Sequence, residues 1–252
     1  VIVLVPVYRP GDRLPRLVDD LTAALPAAHV LIVDDGSGPT AAGVLAAARD
    51  RGATVLRRRI NRGKGVVLKT GFRYAALHHP GRDVVCVDAD GQHLIPDVVR
   101  VADRMRDSGA LTLGVRRFDG EVPLRSRFGN VLTRAAFHLA TGRRVRDTQT
   151  GLRAYPAGLL GWLRTVPGER FEYEMNVLLH AARARRPIEQ VPIVTHYQGG
   201  SSHFSSLTDS ARIYAPLVRF AAARLLAPGR GAGDAPPAEV TSSRPRPATR
   251  TP

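Results

Sequence analysis

The chain has 252 residues, 44% of them hydrophobic, with a single cysteine and a formal net charge of +15. This is enough for one sizeable core; it excludes an intramolecular disulfide, and no apolar run reaches membrane-span length and no signal peptide is visible. The charge excess is almost all arginine, with Lys64 and Lys69 the only lysines; it admits nucleic acid, an anionic membrane or a phosphorylated substrate as partner without choosing among them.

Apolar strands alternate with helical patterns from the first residue. Residues 1–8 (VIVLVPVY) read as a strand, 12–25 as a helix, 29–35 as a strand, 39–51 as a helix, 53–58 as a short strand and 64–79 as a helix. Residues 84–93 (VVCVDADGQH) open as a fourth strand, whose unbroken run from Val84 to Val87 suits burial on both faces. A helix over 96–108, with Pro96 in its first turn, and a strand over 110–115 follow. This alternation predicts an α/β fold with a doubly wound, mostly parallel sheet, and in such sheets ligands bind at the carboxyl ends of the strands.

The second half predicts a helix over 126–141, a short strand over 150–155, a helix over 171–186 and a strand over 188–197, which Pro192 assigns to an edge or a bulge. A helix over 206–226 sets Leu207, Ile213, Leu217, Phe220, Leu225 and Leu226 beside Arg212, Arg219 and Arg224. It reads either as an interfacial helix or as an amphipathic helix packed on the domain. From Pro228 onward Pro, Gly, Ser and Arg dominate, so 1–227 is expected to be one domain and 228–252 a disordered tail. The lone Cys86, inside an apolar strand, reads as a buried, inert thiol in a reducing, cytoplasmic setting. The sequence opens on Val inside a strand, so a few native residues are expected to precede it.

Three polar stretches stand at strand ends. If the chain stays extended past Val87, Asp88 and Asp90 share a side, and Gln92 joins them unless Gly91 turns the chain. Carboxylates so placed repel one another and resist desolvation. A hard divalent cation, Mg²⁺ or Mn²⁺, removes the conflict and keeps places for water and phosphate; solvated loop acids would need no cation. Asp34-Asp35-Gly36-Ser37 ends the second strand at the same edge, where its carboxylates can accept from a ribose or a base NH, although turn chemistry alone explains Gly36 and Ser37. Asn61-Arg62-Gly63-Lys64-Gly65 precedes a helix; it is either a phosphate-approach turn or a plain helix start. The eight histidines lack ligand spacing.

Taken in order, VPVY (5–8), VDDGS (33–37), NRGKG (61–65), VDADGQ (87–92), RFGN (127–130), DTQTGLR (147–153), FEYEMNVLL (171–179) and VPIVTHYQGGSSHF (191–204) resemble the family 2 glycosyltransferases of GT-A fold. The resemblance covers roughly residues 1–215, and the later motifs look most like the branch that transfers a sugar to a polyprenyl phosphate. It implies a UDP- or GDP-sugar held by Pro6, Tyr8, Asp34, Asp35, Gly63, Lys64 and Asp88, and a cation held by Asp88, Asp90 and Gln92. It also implies phosphate or acceptor contacts from Arg116, Arg117, Arg127, Ser202 and His203, with Asp90 and Arg127 acting in catalysis.

Three departures bear on mechanism. Arg9 and Pro10 replace the Asn-Glu that often follows the first-strand tyrosine, and the Gln-x-x-Arg-Trp motif of processive synthases is absent. The Glu-Asp pair that supplies a base in many hydroxyl-glycosylating relatives is also absent; Glu169, Glu172 and Glu174 lie in its neighbourhood. The expected reaction is an inverting, metal-dependent displacement at the anomeric carbon. A polyprenyl phosphate is already ionised and needs positioning more than deprotonation, whereas a hydroxyl acceptor needs a base, for which Glu172 and Glu174 are the candidates. As ordinary helix-surface acids those two would pair with Arg170 or Arg183. A lipid-linked acceptor implies peripheral contact with the cytoplasmic face of a membrane, or a membrane partner. The soluble-hydroxyl acceptor stays open as an alternative, and a non-catalytic nucleic-acid-binding module as a distant one, with only 6% aromatic residues to serve it.

Overall fold

The structure, a computed structural model, describes residues 1–116 and 124–194. Within its seven-stranded sheet β1 (Ile2–Val7) pairs in parallel with β2 (His29–Asp34) on one side and with the central strand β4 (Val84–Cys86) on the other. Outside β2 lies β3 (Thr54–Arg57), also parallel. Beyond β4, the three-residue β6 (Arg153–Tyr155) runs antiparallel to β4 and to β5 (Leu111–Arg116). β7 (Ile188–Ile193) then pairs in parallel with β5 and closes the order β3-β2-β1-β4-β6-β5-β7. Pro192 lies on this terminal strand, where a missing N–H costs no ladder bond on the outer side.

Period-two alternation divides the strand side chains between two buried layers. Ile2, Leu4, Leu31 and Val33 meet helices α3 (Lys64–His78), α5 (Leu124–Thr141), α6 (Leu160–Thr165) and α7 (Glu172–Arg183). Val3, Val5, Val30 and Ile32 meet α1 (Arg13–Ala24), α2 (Ala42–Asp50) and α4 (Ile95–Ser108). Cys86 is buried, and burial pushes its thiol pKa up, as suits an inert core residue.

The first five strands and four helices lie close to their expected positions. A single 3₁₀ turn, Pro39–Ala41, splits off the start of the helix expected over 39–51. The strand expected over 150–155 is shorter and antiparallel, and α6 was not foreseen. No helix among the described residues is long and apolar enough to cross a membrane. Arg117, Ser202, His203, the end of the 188–197 segment, the helix expected over 206–226 and the tail over 228–252 lie outside the described residues; of Arg127 only the helical backbone is described.

Candidate active site

The carboxyl ends of β1, β2 and β4 open on one edge of the sheet. Asp34 ends β2 fully buried, and its carboxylate accepts from the Ser37 amide (3.1 Å), the Ser37 hydroxyl and Arg57 Nε (3.1 Å). Ser37 Oγ in turn accepts from the Arg9 amide at 2.7 Å, which ties the loop after β1 to the loop after β2. Asp35 accepts from the amides of Arg62 (3.0 Å) and Gly63 (2.6 Å), with Arg58 Nε 3.7 Å away. Both carboxylates that the sequence offered to a nucleotide therefore organise this rim. Pro6 sits half-buried opposite Val33, and Tyr8 is 37% exposed with the Arg9 guanidinium over its ring.

The turn before α3 packs against the segment that leads into α7. The Val66 amide donates to the Glu169 carbonyl at 3.0 Å. A Cβ on Gly63 would fall onto Arg170, and one on Gly65 would lie 2.6 Å from Tyr173 Cβ. The glycines thus give room to residues 169–173. Lys64 points inward, its Nζ 2.8 Å from Asp88 Oδ1 and 3.0 Å from Glu174 Oε2. Burial alone would favour loss of its proton, but the two carboxylates outweigh burial and hold the ammonium pKa above its usual range.

The acidic turn differs from its expectation. β4 ends at Cys86, and the chain turns through Ala89–Gly91 with Gly91 at φ +73°. Asp88 and Asp90 are consequently not side by side on an extended strand. Asp88 is half-buried and faces Lys64, with His93 Nε2 3.7 Å from its second oxygen. Burial pushes its pKa up, but Lys64 and His93 outweigh that and hold it below the usual carboxylate range. Asp90 is exposed, and its Oδ1 accepts from the Gln92 amide at 3.0 Å. Its pKa is raised, first by desolvation and then by the charge of Asp88. Sequence reading passed over His93, which is buried with Nδ1 unpartnered among the described residues; its one signal was its place three residues after Asp90.

Residues 147–153 brace the turn from the far side. A Cβ on Gly151 would fall on the Asp88 carboxylate, so only glycine leaves room for it. Arg116, at the end of β5, forks onto the buried Asp147 at 2.6 and 3.0 Å. Arg153 is wholly buried and donates to the carbonyls of Thr150 (2.8 Å), Glu174 (2.7 Å) and Thr148 (3.1 Å). Glu174 is not a helix-surface acid: it is 8% exposed, and its cationic partners are Lys64 and Arg153, not Arg170 or Arg183. Glu172 reaches back from the first turn of α7 to accept from the amides of Glu169 (2.9 Å) and Arg170 (3.1 Å).

The donor set fits a hard divalent cation. One exposed carboxylate is charged against the pull of a neighbouring one, with an amide side chain two residues on. Among the described residues no group of three or more His, Cys, Asp or Glu forms a ready cage. Such a site suits an ion that brings most of its ligands as water and phosphate.

The sheet is mostly parallel, broken by one antiparallel strand and carrying acidic turns after β2 and β4, in keeping with the expected GT-A fold. The chain belongs to glycosyl transferase family 2, whose model matches residues 2–160. It is 30% identical over 207 residues to undecaprenyl-phosphate mannosyltransferase of Micrococcus luteus, covering 77% of this chain and 82% of that one. It is also 30% identical over 207 residues to polyprenol monophosphomannose synthase of Mycolicibacterium smegmatis, with 76% of each chain covered. Among solved structures, glucosyl-3-phosphoglycerate synthase from Mycobacterium tuberculosis, in complex with Mn²⁺, UDP and phosphoglyceric acid, superposes with a TM-score of 0.64. That match covers 91% of this chain and 80% of that one at 17% identity, a likeness of fold.

In a glycosyltransferase, Gly151→Ala is expected to displace the Asp88 carboxylate and lower turnover about 10²-fold. The thermal midpoint should fall much less than turnover, since the group displaced is the end of a half-buried side chain; turnover and melting measured on one preparation check both halves.

Proposed function

We propose that this chain transfers a sugar, with inversion, from a nucleotide-sugar to a polyprenyl phosphate, assisted by Mg²⁺ or Mn²⁺. The observation that carries this reading is the condition of the acids near α7. Both oxygens of Glu174 face cations, Lys64 at 3.0 Å and Arg153 at 3.7 Å, so it is poorly placed to take a proton from a hydroxyl. A phosphate acceptor needs no such base, being ionised near neutral pH. The names of the Micrococcus and Mycolicibacterium relatives support the same acceptor class, and the Mn²⁺ and UDP of the mycobacterial synthase support a cation and a nucleoside diphosphate.

A cation held by Asp90 and Gln92, with Asp88 beside them, would stabilise the charge that builds on the departing diphosphate. The chain's own residues set the stage for this. Asp34, Asp35 and Ser37 fix the loops at the donor edge, with Pro6 and Tyr8 on its rim. Gly63 docks α3 on the 169–173 segment and so aims Lys64 at Asp88. Asp147 holds Arg116 at the end of β5, the position from which a guanidinium meets phosphate. Arg117, Arg127, Ser202 and His203 complete the proposed phosphate and acceptor set, and the acceptor brings the chain to a membrane surface or to a membrane partner.

One observation favours the second reading, a soluble hydroxyl acceptor. Glu172 Oε2 is buried without a hydrogen-bond partner among the described residues. Label transfer from radiolabelled UDP- and GDP-sugars to polyprenyl phosphate, with Mg²⁺, with Mn²⁺ and with chelator, decides between them. Metal-dependent, mild-acid-labile label in the organic phase is the expected result. Donor hydrolysis without organic label, together with loss of turnover in Glu172→Gln, would move the acceptor to a hydroxyl.

A further inference from the structure

Four charged side chains run in a line beneath the acidic turn. Lys64 Nζ lies 2.8 Å from Asp88 Oδ1 and 3.0 Å from Glu174 Oε2, and Glu174 Oε1 lies 3.7 Å from Arg153 Nε. Arg153 is fully buried, and the side chains of Lys64 and Glu174 are 14% and 11% exposed. Two cations and two anions cancel within this row. Asp90 stands outside it, exposed and in no ion pair among the described residues.

The proposed chemistry sets a divalent cation beside Asp88, where Lys64 already stands. A divalent cation would neutralise Asp88 as well as Lys64 does, so the two are rivals for the same carboxylate. Glu174 moderates the rivalry, because it draws Lys64 away from Asp88 along the row. Arg153 Nε lies 3.7 Å from the other Glu174 oxygen and is itself fixed by three backbone carbonyls. We infer that Lys64 is an internal counter-ion that competes with the divalent cation for Asp88, and that Glu174, acting through Lys64, sets how strongly it competes. The inference rests on the divalent-cation reading above and makes both residues positioning groups.

The two substitutions then act in opposite directions. Glu174→Gln frees Lys64 to pair with Asp88 alone, and Mn²⁺ binding is expected to weaken about tenfold. Lys64→Met removes the rival, and Mn²⁺ binding is expected to tighten by a similar factor. A mere scaffold would respond otherwise: loosening Asp88 by either change would weaken binding in both variants.

The test is a titration of purified wild type, Glu174→Gln, Lys64→Met and Lys64→Arg with Mn²⁺, following free Mn²⁺ by electron paramagnetic resonance, with and without UDP or GDP. Opposite shifts, with Lys64→Arg near wild type, support the inference. Shifts of the same sign, or none, overturn it while leaving the cation reading in place. A wild-type protein that binds no Mn²⁺ under any condition overturns both. Lys64→Met leaves Asp88 and Glu174 without their shared cation and is checked for folding by circular dichroism. If it fails to fold, Glu174→Gln, which keeps the Lys64–Asp88 pair, decides alone: unchanged or tighter Mn²⁺ binding overturns the inference.

Discussion

Asp90→Asn is expected to lower sugar transfer by about 10³-fold or more, while leaving the protein as stable as wild type or slightly more stable. The two halves have separate causes. The side chain is exposed, and its described hydrogen bond, from the Gln92 amide, is one that an asparagine oxygen accepts equally well. Among the described residues it forms no ion pair. Its charge is held against desolvation and against Asp88, which together raise its pKa. Removing it relieves a repulsion, so folding gains or stays level. Catalysis loses the carboxylate best exposed to meet a cation and the leaving diphosphate. Lipid-extracted label measures the first half and a thermal melt the second. Activity within tenfold of wild type would remove the acidic turn from the chemistry, and a large drop in melting temperature would make Asp90 a structural residue.

The same turn marks how far the sequence could be read. Asp88 and Asp90 are visible as a pair after a buried strand, although two solvated loop acids would look the same and only the other motifs at the same sheet edge favour a site. Their division of labour is not visible. It depends on Gly91 adopting φ +73° and on Lys64, 24 residues away in sequence, meeting Asp88 rather than solvent. Long helices such as α1 and α4 announce themselves by their apolar period, whereas α6, six residues following a proline and a 3₁₀ turn, is too short to show one. The antiparallel direction of β6 is likewise hidden: three residues carry no directional signal, and pairing with Val84–Cys86 decides it. Glu174 was read as an acid near the site, but its burial between a lysine and an arginine is a property of three packed elements that no local pattern encodes. At the 61–65 turn the glycines give room to another stretch of the same chain, a close approach that the local sequence does not show.

Arg153→Met tests the deepest of these tertiary features, and its expected effect is on folding. The side chain is fully buried and donates to three carbonyls, those of Thr148, Thr150 and Glu174, while its charge lies 3.7 Å from the Glu174 carboxylate. Methionine fills much of the volume but offers no donor. Three carbonyls lose a donor, and Glu174 keeps only Lys64 as an ion-pair partner among the described residues. Breaking a buried pair in this way costs about 3–5 kcal/mol, a large part of the 5–15 kcal/mol that holds a typical domain together. The urea midpoint should fall sharply with an unchanged slope, and the thermal midpoint by roughly 10 °C. Arg153→Lys restores the charge but not the planar three-way fork, so it should recover only part of the loss. Because the same fork holds residues 148–151, and Gly151 abuts Asp88, the surviving folded fraction should also turn over slowly, with donor binding reduced along with rate. A variant as stable as wild type would mean that the 147–153 segment is held by its other contacts, and that the guanidinium at its centre is a passenger.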